Sequence, residues 1–186
     1  PPPEGGFSDY NEEKEYARKV HDYVACKVTY DPMGYDPKNM NGKTAFETCQ
    51  EAYNVLGKNQ NTSVCAGYAR AFALICQYAG INCAWVWGNE TEESSHAWNV
   101  IYPCDGSEPV LVDVTWDDGN TLSNRYLFAG SESDGVYYKI SEERTNYVTF
   151  STKPETAFRF VQPSLEADRY HEYDAWKISL LVYCGS

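Results

Sequence analysis

The spacing of hydrophobic residues changes once along the chain. Before about residue 80, apolar side chains recur every three to four positions, which is the spacing of one helix face. From Ile81 onward, short runs rich in Val, Ile, Trp and Tyr are separated by turn residues, which is typical of strands. Helices followed by strands predict an α+β fold.

The first predicted helix covers about residues 10–28. Asp9 and Glu12 have the spacing of a capping box at its start. Pro32 marks its end, because the residue before a proline is disfavoured in the α conformation. The side chains expected on its buried face are Tyr16, Val20, Tyr23 and Val24.

Two further helices are predicted before the strands. One begins at Thr44, where Thr44 and Glu47 have capping-box spacing, and ends at Gly57. The other covers about residues 65–79 and is stopped by Gly80. The expected buried faces are Phe46, Cys49, Tyr53 and Leu56 for the former, and Tyr68, Ala69, Phe72, Ile75 and Cys76 for the latter.

The second half of the chain is predicted to be mainly β-structure. Three consecutive antiparallel strands are expected at residues 81–87, 96–102 and 110–116. Weaker runs predict strands at 137–140, 147–150, 158–161 and 176–183, and a helical turn within 165–173. We expect a linker or trimmed edge over residues 1–8 and a single domain over 9–186. Within that domain, a core covers 44–118 and a β-rich extension covers 119–186.

Charge and composition narrow the partners. A net charge of −12 argues against a nucleic-acid binder, which needs clustered Lys and Arg. No run approaches the roughly 18 apolar residues of a membrane span, so no membrane insertion is expected. No Cys/His cluster has zinc spacing and no Gly-rich phosphate loop is present, so neither metal nor cofactor is expected. A protein or peptide substrate is the expected partner.

Seven cysteines are many for a cytosolic chain of 186 residues. An odd number fits disulfide pairs plus one free reactive thiol, and this cysteine usage predicts a secreted or cell-surface protein. The alternative is that several cysteines are small buried residues, and Cys76 on an apolar helix face fits that alternative best.

Cys65 is the cysteine best placed for chemistry. It opens a predicted helix, where free backbone N–H groups and the positive end of the helix dipole favour a thiolate. Its small neighbours, Ala66 and Gly67, are expected to leave room for a substrate. A purely structural cysteine is the competing interpretation.

A thiol nucleophile needs a base and a group that orients the base. His21 and His171 lie in polar surroundings and are expected on the surface, whereas His96 begins a strand directly after a polar loop. Asp113 lies in an otherwise apolar strand, where a carboxylate is costly without a hydrogen-bonding partner. The alternative for Asp113 is a carboxylate that caps the following turn.

Three segments of the chain resemble the core blocks of the transglutaminase-like superfamily: Ser63–Phe72, His96–Asn99 and Val112–Asp118. The resemblance covers about residues 46–118 and implies a papain-like core, with the nucleophile helix packed on an antiparallel sheet. It also implies that Cys65 is the nucleophile, His96 the general base and acid, and Asp113 the residue that orients His96.

The same resemblance implies lesser roles for four residues: Trp98, Trp116 and Tyr68 as substrate-binding walls, and Asn99 as a support of strand geometry. One position departs from the family pattern, because Ser63 stands where the family usually has glycine two residues before the nucleophile. Ser63 is expected either to stiffen this turn or to cap the helix.

The implied activity is acyl transfer through a thioester, with water as acceptor in a protease or deamidase and an amine as acceptor in a cross-linking enzyme. Two alternatives remain open. One alternative is that the chain is a non-catalytic protein- or wall-binding module of a larger surface protein. The other is that Cys65 forms a disulfide and is not a free nucleophile.

Overall fold

A computed structural model of the chain describes residues 1–32, 43, 47, 49–58, 61–89 and 95–130, together with the backbone of short strands between 132 and 159. The helices are α1 (Tyr10–Lys27), α2 (Ala52–Leu56), α3 (Cys65–Tyr78) and α4 (Val114–Asp117). The longer strands are β3 (Cys83–Asn89), β4 (Ser95–Ile101), β5 (Val110–Val112) and β6 (Leu127–Ala129). The two-residue strands are β1 (Thr29–Tyr30), β2 (Thr62–Ser63), β7 (Glu132–Ser133), β8 (Val136–Tyr137), β9 (Lys139–Ile140), β10 (Tyr147–Val148) and β11 (Phe158–Arg159).

The central sheet has five strands in the order β6-β5-β4-β3-β9, and each neighbouring pair is antiparallel. β3 and β4 form a hairpin with seven paired positions, so they provide the most extended ladder of the sheet. The predicted α+β class and the antiparallel order of the three main strands are confirmed.

Helix α3 is the central helix, as predicted. It contacts α1, α2, β3 and β4, and its apolar residues Tyr68, Phe72 and Cys76 lie in the main core. A 14-residue helix with apolar residues on most of its faces is typical of a buried position. Ala79 caps its C-terminus and Gly80 follows with φ +83°, which glycine adopts without strain.

Helix α1 ends at Lys27, and Asp9 accepts hydrogen bonds from the backbone N–H groups of Asn11 and Glu12. The predicted apolar face was wrong in part. Tyr23 is exposed, and the buried residues are Glu13, Ala17, Val20, His21, Val24 and Ala25. The buried face is rotated because polar contacts hold Glu13 and His21 inside.

Helix α2 is shorter than predicted. It has five residues, and its capping box joins Glu51 and Asn54. Cys49 has φ +57°, so the chain is not helical there, and Tyr53 is exposed. Gly57 ends the helix as predicted, whereas Thr44 and Phe46 lie outside the described residues.

Strand β5 ends at Val112 rather than at 116, because the following residues form helix α4. Strand β6 was not predicted. The predicted strands at 137–140, 147–150 and 158–161 are found as two-residue strands. The helical turn predicted within 165–173 and the strand predicted at 176–183 lie outside the described residues.

The cysteines divide differently from the prediction. Cys26 is disulfide-bonded, whereas five of the described cysteines are free thiols. The prediction of disulfide pairs plus one free thiol was therefore wrong in the number of free thiols. Cys76 is fully buried in the core, as expected. Among the described residues, no helix is both long enough and apolar enough to cross a membrane.

Candidate active site

Cys65 is the first residue of α3 and has a free thiol, which rules out a disulfide at this position. It is 1% exposed and packs in a small cluster with Trp87 and Ala97. The backbone N–H groups at a helix N-terminus have no partner within the helix. Cys65 therefore lies where the sequence predicted, at an end that favours negative charge.

The turn before Cys65 is held by the chain segment at residue 49. The Cys49 carbonyl accepts hydrogen bonds from Val64 N at 3.0 Å and from Ser63 Oγ at 2.8 Å. Val64, not Ser63, is the N-cap residue of α3, and no side chain caps this end. Ser63 thus stiffens the turn, and the alternative that it caps the helix is wrong.

Gly67 is close to the Ser63 hydroxyl. A Cβ atom at position 67 would lie 1.9 Å from Ser63 Oγ and 3.1 Å from the carbonyl oxygens of Cys49 and Glu51. Gly67 is buried, so its lack of a side chain admits this segment of the chain rather than a substrate. The expectation that Gly67 leaves room for a substrate is corrected.

His96 and Asp113 meet as predicted. His96 is the second residue of β4, opposite Gly88 of β3, and Asp113 follows directly after β5. The His96 Nε2 and Asp113 Oδ2 atoms are 2.6 Å apart, and both side chains are buried. This bond leaves Nδ1 as the ring nitrogen for Cys65.

The charge state of His96 depends on both of its neighbours. Burial on its own would lower the pKa of His96, but the charge and hydrogen bond of Asp113, followed by the hydrogen bond and charge of Cys65, raise it well above its ordinary value. The side chains of Cys65, His96 and Asp113 therefore form one connected chain.

Asp113 also caps α4, as the alternative interpretation predicted, and the same carboxylate contacts His96. Its Oδ1 accepts hydrogen bonds from Thr115 N at 3.1 Å and Trp116 N at 3.2 Å, while its Oδ2 faces His96. One carboxylate thus has a different partner on each oxygen, and the backbone of α4 fixes its orientation.

The three predicted substrate-binding residues have different positions. Trp98 and Tyr68 are fully buried, Trp98 with its ring stacked on His96 at 6.2 Å between centroids. Trp116 is 45% exposed and presents its ring edgewise to His96 at 6.3 Å. Of these three, only Trp116 has surface to offer a substrate.

Two further polar residues support the site. Asn99 Nδ2 donates hydrogen bonds to Ala69 O at 2.9 Å and Ala84 O at 3.2 Å, so it joins α3 to β3. Tyr68, one turn after Cys65, donates its hydroxyl proton to Asp118 Oδ2 at 2.5 Å. Burial, and then the hydrogen bond and charge of Asp118, raise the pKa of Tyr68, which keeps it a donor.

The prediction that His21 is a surface residue was wrong. His21 is fully buried, with Nε2 at 3.0 Å from Asp117 Oδ2 and Nδ1 at 3.0 Å from Asp22 Oδ1. A sequence signal was available, because His21 is four residues from both Ala17 and Ala25 and therefore shares their helix face. The other predicted surface histidine, His171, lies outside the described residues.

No group of three or more His, Cys, Asp or Glu side chains is arranged to hold a metal ion within the described part of the chain.

Comparison with known proteins shows which family this chain is similar to. The model of the transglutaminase-like superfamily matches residues 6–114, which include α1, Cys65, His96 and Asp113. Kyphoscoliosis peptidase of Homo sapiens is 34% identical over 131 residues, and that of Mus musculus is 28% identical over 131 residues. Each of these matches covers 63% of this chain and 18% of the relative's length, so the chain spans a small part of the curated relatives.

One solved structure, of a TGase, has a TM-score of 0.44 and 18% sequence identity to this chain. The match covers 66% of this chain and 34% of that one.

Proposed function

Because this chain belongs to the transglutaminase-like superfamily, we propose that it is a cysteine-nucleophile enzyme that forms a thioester from peptide or glutamine-type amides. The observation that carries the proposal is the buried 2.6 Å hydrogen bond between His96 and Asp113, beside the free thiol of Cys65. A nucleophile, a base and an orienting carboxylate in hydrogen-bond contact are the parts that amide chemistry requires.

In the proposed mechanism, Cys65 gives its proton to His96 Nδ1, and the thiolate attacks the amide carbonyl carbon. The resulting oxyanion is received by backbone N–H groups at the start of α3. The imidazolium of His96 then donates its proton to the leaving ammonia or amine as the C–N bond breaks. Asp113 orients the ring of His96 through their hydrogen bond and stabilises the imidazolium.

The acyl acceptor decides which enzyme this is. Water gives a protease or deamidase, and a lysine-type amine gives a cross-linking enzyme. We favour water, because it is the acceptor present in any site that does not exclude it. The Kyphoscoliosis peptidases, with which part of this chain aligns, are peptidases by name, which supports hydrolysis.

Alkylation by iodoacetamide at mildly acid pH tests whether Cys65 is activated. Cys104 is an internal reference, because its side chain is exposed to the reagent. Slight desolvation and the nearby Glu13 carboxylate raise the pKa of its thiol. We expect Cys65 to be alkylated faster than Cys104 although Cys65 is the less exposed of the two. Peptide mapping by mass spectrometry measures both rates in one sample.

The matched control is the His96→Ala variant, in which Cys65 should lose its advantage over Cys104. A wild-type Cys65 that reacts no faster than the thiol of the unfolded chain would overturn the enzyme proposal. Ammonia release from a glutamine peptide, with and without an added amine, then separates deamidation from cross-linking, whereas peptide cleavage without ammonia identifies a protease.

One observation favours a second candidate function, a non-catalytic protein-binding module. Cys65 is 1% exposed and His96 is 6% exposed, so a substrate reaches the sulfur only after neighbouring groups move. A module of this kind would keep the buried triad as a structural element and would show equal, slow alkylation in the wild type and in His96→Ala.

We also propose that the chain works in an oxidising compartment, such as the cell surface or the extracellular space. The disulfide at Cys26 supports this, because disulfides persist mainly outside the cytosol. Mass mapping of unreduced protein purified from its source tests the point, and a fully reduced Cys26 would contradict it.

A further inference from the structure

A second buried charged cluster lies beneath the candidate site. His21 of α1 is enclosed by two carboxylates, with Asp117 Oδ2 on Nε2 and Asp22 Oδ1 on Nδ1, each at 3.0 Å. An imidazole whose two nitrogens both face carboxylates donates from both of them, which requires the protonated ring. His21 and Asp117 are both fully buried.

Such a pair needs an explanation beyond stability. Burial removes the hydration of both charges, and buried ion pairs often contribute no more to stability than apolar residues of similar size. The proposed mechanism does not use His21 directly, because its two ring nitrogens are already occupied. The cluster therefore has to be judged by what it holds in place.

Asp117 is connected to Asp113 by a short closed path. Asp117 is the last residue of α4, and Asp113 is the N-cap residue of the same helical turn. The Asp117 carboxylate accepts hydrogen bonds from Ser123 Oγ and from Tyr126 N, the latter at 3.2 Å from Oδ2. Tyr126 O in turn accepts a hydrogen bond from Asp113 N at 2.9 Å.

Helix α4 is thus fixed at both ends. At its N-terminus, Asp113 faces His96, and at its C-terminus, Asp117 faces His21 of α1. From these contacts we infer that His21 and Asp117 form a positioning pair, which holds Asp113 in the orientation that His96 requires for catalysis. The inference rests on the proposed function, because it assigns a role within the same site.

The charged groups around His21 come from two elements. Asp22 lies on α1 itself, and Asp117 lies on α4, while Asp118 is close enough for its carboxyl to be influenced by the charge of His21. A neutral side chain at position 21 or 117 leaves the remaining partner as an uncompensated buried charge. Relief of that charge by movement of α4 displaces Asp113.

The test uses the His21→Gln and Asp117→Asn variants, which keep hydrogen-bonding groups but remove one charge each. We expect the alkylation rate of Cys65 and kcat to fall on the order of 10- to 100-fold, because small displacements of catalytic groups have effects of that size. KM should change little, because neither residue touches the substrate. An NMR titration of the His96 ring should show its pKa shifted downward as its contact with Asp113 weakens.

Glu13→Gln is the matched control. Glu13 is a buried carboxylate on the same helix, but its hydrogen bond goes to Cys104 N at 2.9 Å and not to α4. We expect Glu13→Gln to destabilise the fold without changing the alkylation rate of Cys65 or the pKa of His96. If the alkylation rate of Cys65 falls in all three variants in proportion to the stability that each has lost, the role of His21 and Asp117 is merely structural. That result would overturn the inference.

Two outcomes keep this test separate from that of the proposed function. If wild-type Cys65 is not activated, the enzyme proposal fails, while the His96 titration still decides whether His21 and Asp117 position Asp113. If neither charge variant folds, Ser123→Ala decides, because it removes only one hydrogen bond from Asp117. An unchanged His96 pKa in Ser123→Ala would then overturn the inference, and a lowered one would support it.

Discussion

Asp113 combines two functions that are usually assigned to different residues. Its Oδ1 accepts hydrogen bonds from the backbone N–H groups of Thr115 and Trp116 in α4, and its Oδ2 accepts a hydrogen bond from Nε2 of His96. Because α4 follows directly after β5, the cap and the sheet together set the position of the carboxylate. The local structure of this turn therefore also sets how Asp113 contacts His96.

Two substitutions at this position separate capping from catalysis. Asparagine is as good an N-cap as aspartate, so Asp113→Asn should keep the cap of α4 and should be more stable than Asp113→Ala. Its neutral amide removes the charge that holds His96 in the imidazolium form, so kcat should fall by about 10²- to 10⁴-fold. Asp113→Ala should lose both functions, and urea unfolding with steady-state kinetics measures each. Full activity in Asp113→Asn would contradict the orienting role.

Trp116 is the residue through which a substrate contact is tested. Trp116→Ala should raise KM for a peptide substrate, because the exposed ring beside His96 is removed, while alkylation by the much smaller iodoacetamide should be unchanged. Tyr78→Ala is the control, since Tyr78 is 86% exposed at the far end of α3, about 20 Å along the helix from Cys65. A KM that changes equally in both variants would remove Trp116 from the substrate site.

The positions of Cys65, His96 and Asp113 could be predicted from sequence, whereas the residues that contact them from distant parts of the chain could not. Cys65, His96 and Asp113 each break a local pattern, as a thiol at a helix start, a histidine at a strand start and a charge within an apolar run. His21 shares the buried face of α1 with Ala17 and Ala25, but its partner Asp117 lies 96 residues further along the chain, so helical periodicity does not predict their contact. Long-range electrostatic pairs of this kind leave no local signal.

At the level of elements, the start of α3 depends on the close approach of the segment at residues 49–51. The parallel pair of β1 and β2 also brings Thr29 and Tyr30 alongside Thr62 and Ser63, next to the nucleophile. Arg70 extends this support from within α3, because its guanidinium donates to Gln50 O at 3.0 Å and pairs with Glu51 at 2.8 Å. The turn before Cys65 is thus held by backbone contacts with residues 49–51 and by the β1–β2 pair.

Gly67→Ala tests this packing. A methyl group at position 67 collides with Ser63 Oγ and presses on two carbonyl oxygens, so Gly67→Ala should destabilise the fold by about 1–3 kcal/mol. The double variant Ser63→Gly/Gly67→Ala removes the closest clash and should recover part of that loss. Chemical unfolding of the two single variants and the double variant gives the coupling free energy. Strictly additive effects would show that Ser63 and Gly67 do not share this space.

Element boundaries deviated from prediction where side chains compete with backbone periodicity. Residues 114–116 have the composition of a strand, yet they form α4 because Asp113 caps them. The carbonyl of Cys49 bonds to Ser63 and Val64, and the left-handed conformation at Cys49 prevents α2 from starting earlier. Both deviations lie within the candidate site, where local preference gives way to tertiary contacts.

At the scale of the whole molecule, the site is assembled from separate parts of the fold. α3 carries Cys65, β4 carries His96 and Asp113 lies between β5 and α4, while His21 of α1 contacts Asp117 at the end of α4. The family match over residues 6–114 covers α1 together with the triad. In this acidic chain of net charge −12, the carboxylates of Asp22 and Asp117 enclose the buried ring of His21. This contact connects the geometry of the fold to pH, because it depends on the charge of His21.

That connection predicts how stability depends on pH. Burial alone would lower the pKa of His21, but the hydrogen bonds and charges of Asp117 and Asp22 raise it to about 9. Because this value lies above the unfolded value of about 6.5, the contribution of His21 is fully present below pH 6.5 and is lost as pH rises through 9. The shift corresponds to about 3 kcal/mol.

The difference between wild type and His21→Gln measures this contribution, because the variant lacks the group whose pKa is raised. Urea unfolding at about pH 6 and at about pH 9.5 should show that the wild type loses about 3 kcal/mol more than the variant does. Equal losses in the two proteins would mean that His21 is not charged in the native state. The carboxylate of Asp117 would then lack its counter-ion, and the positioning of Asp113 would have to come from the backbone of α4 alone.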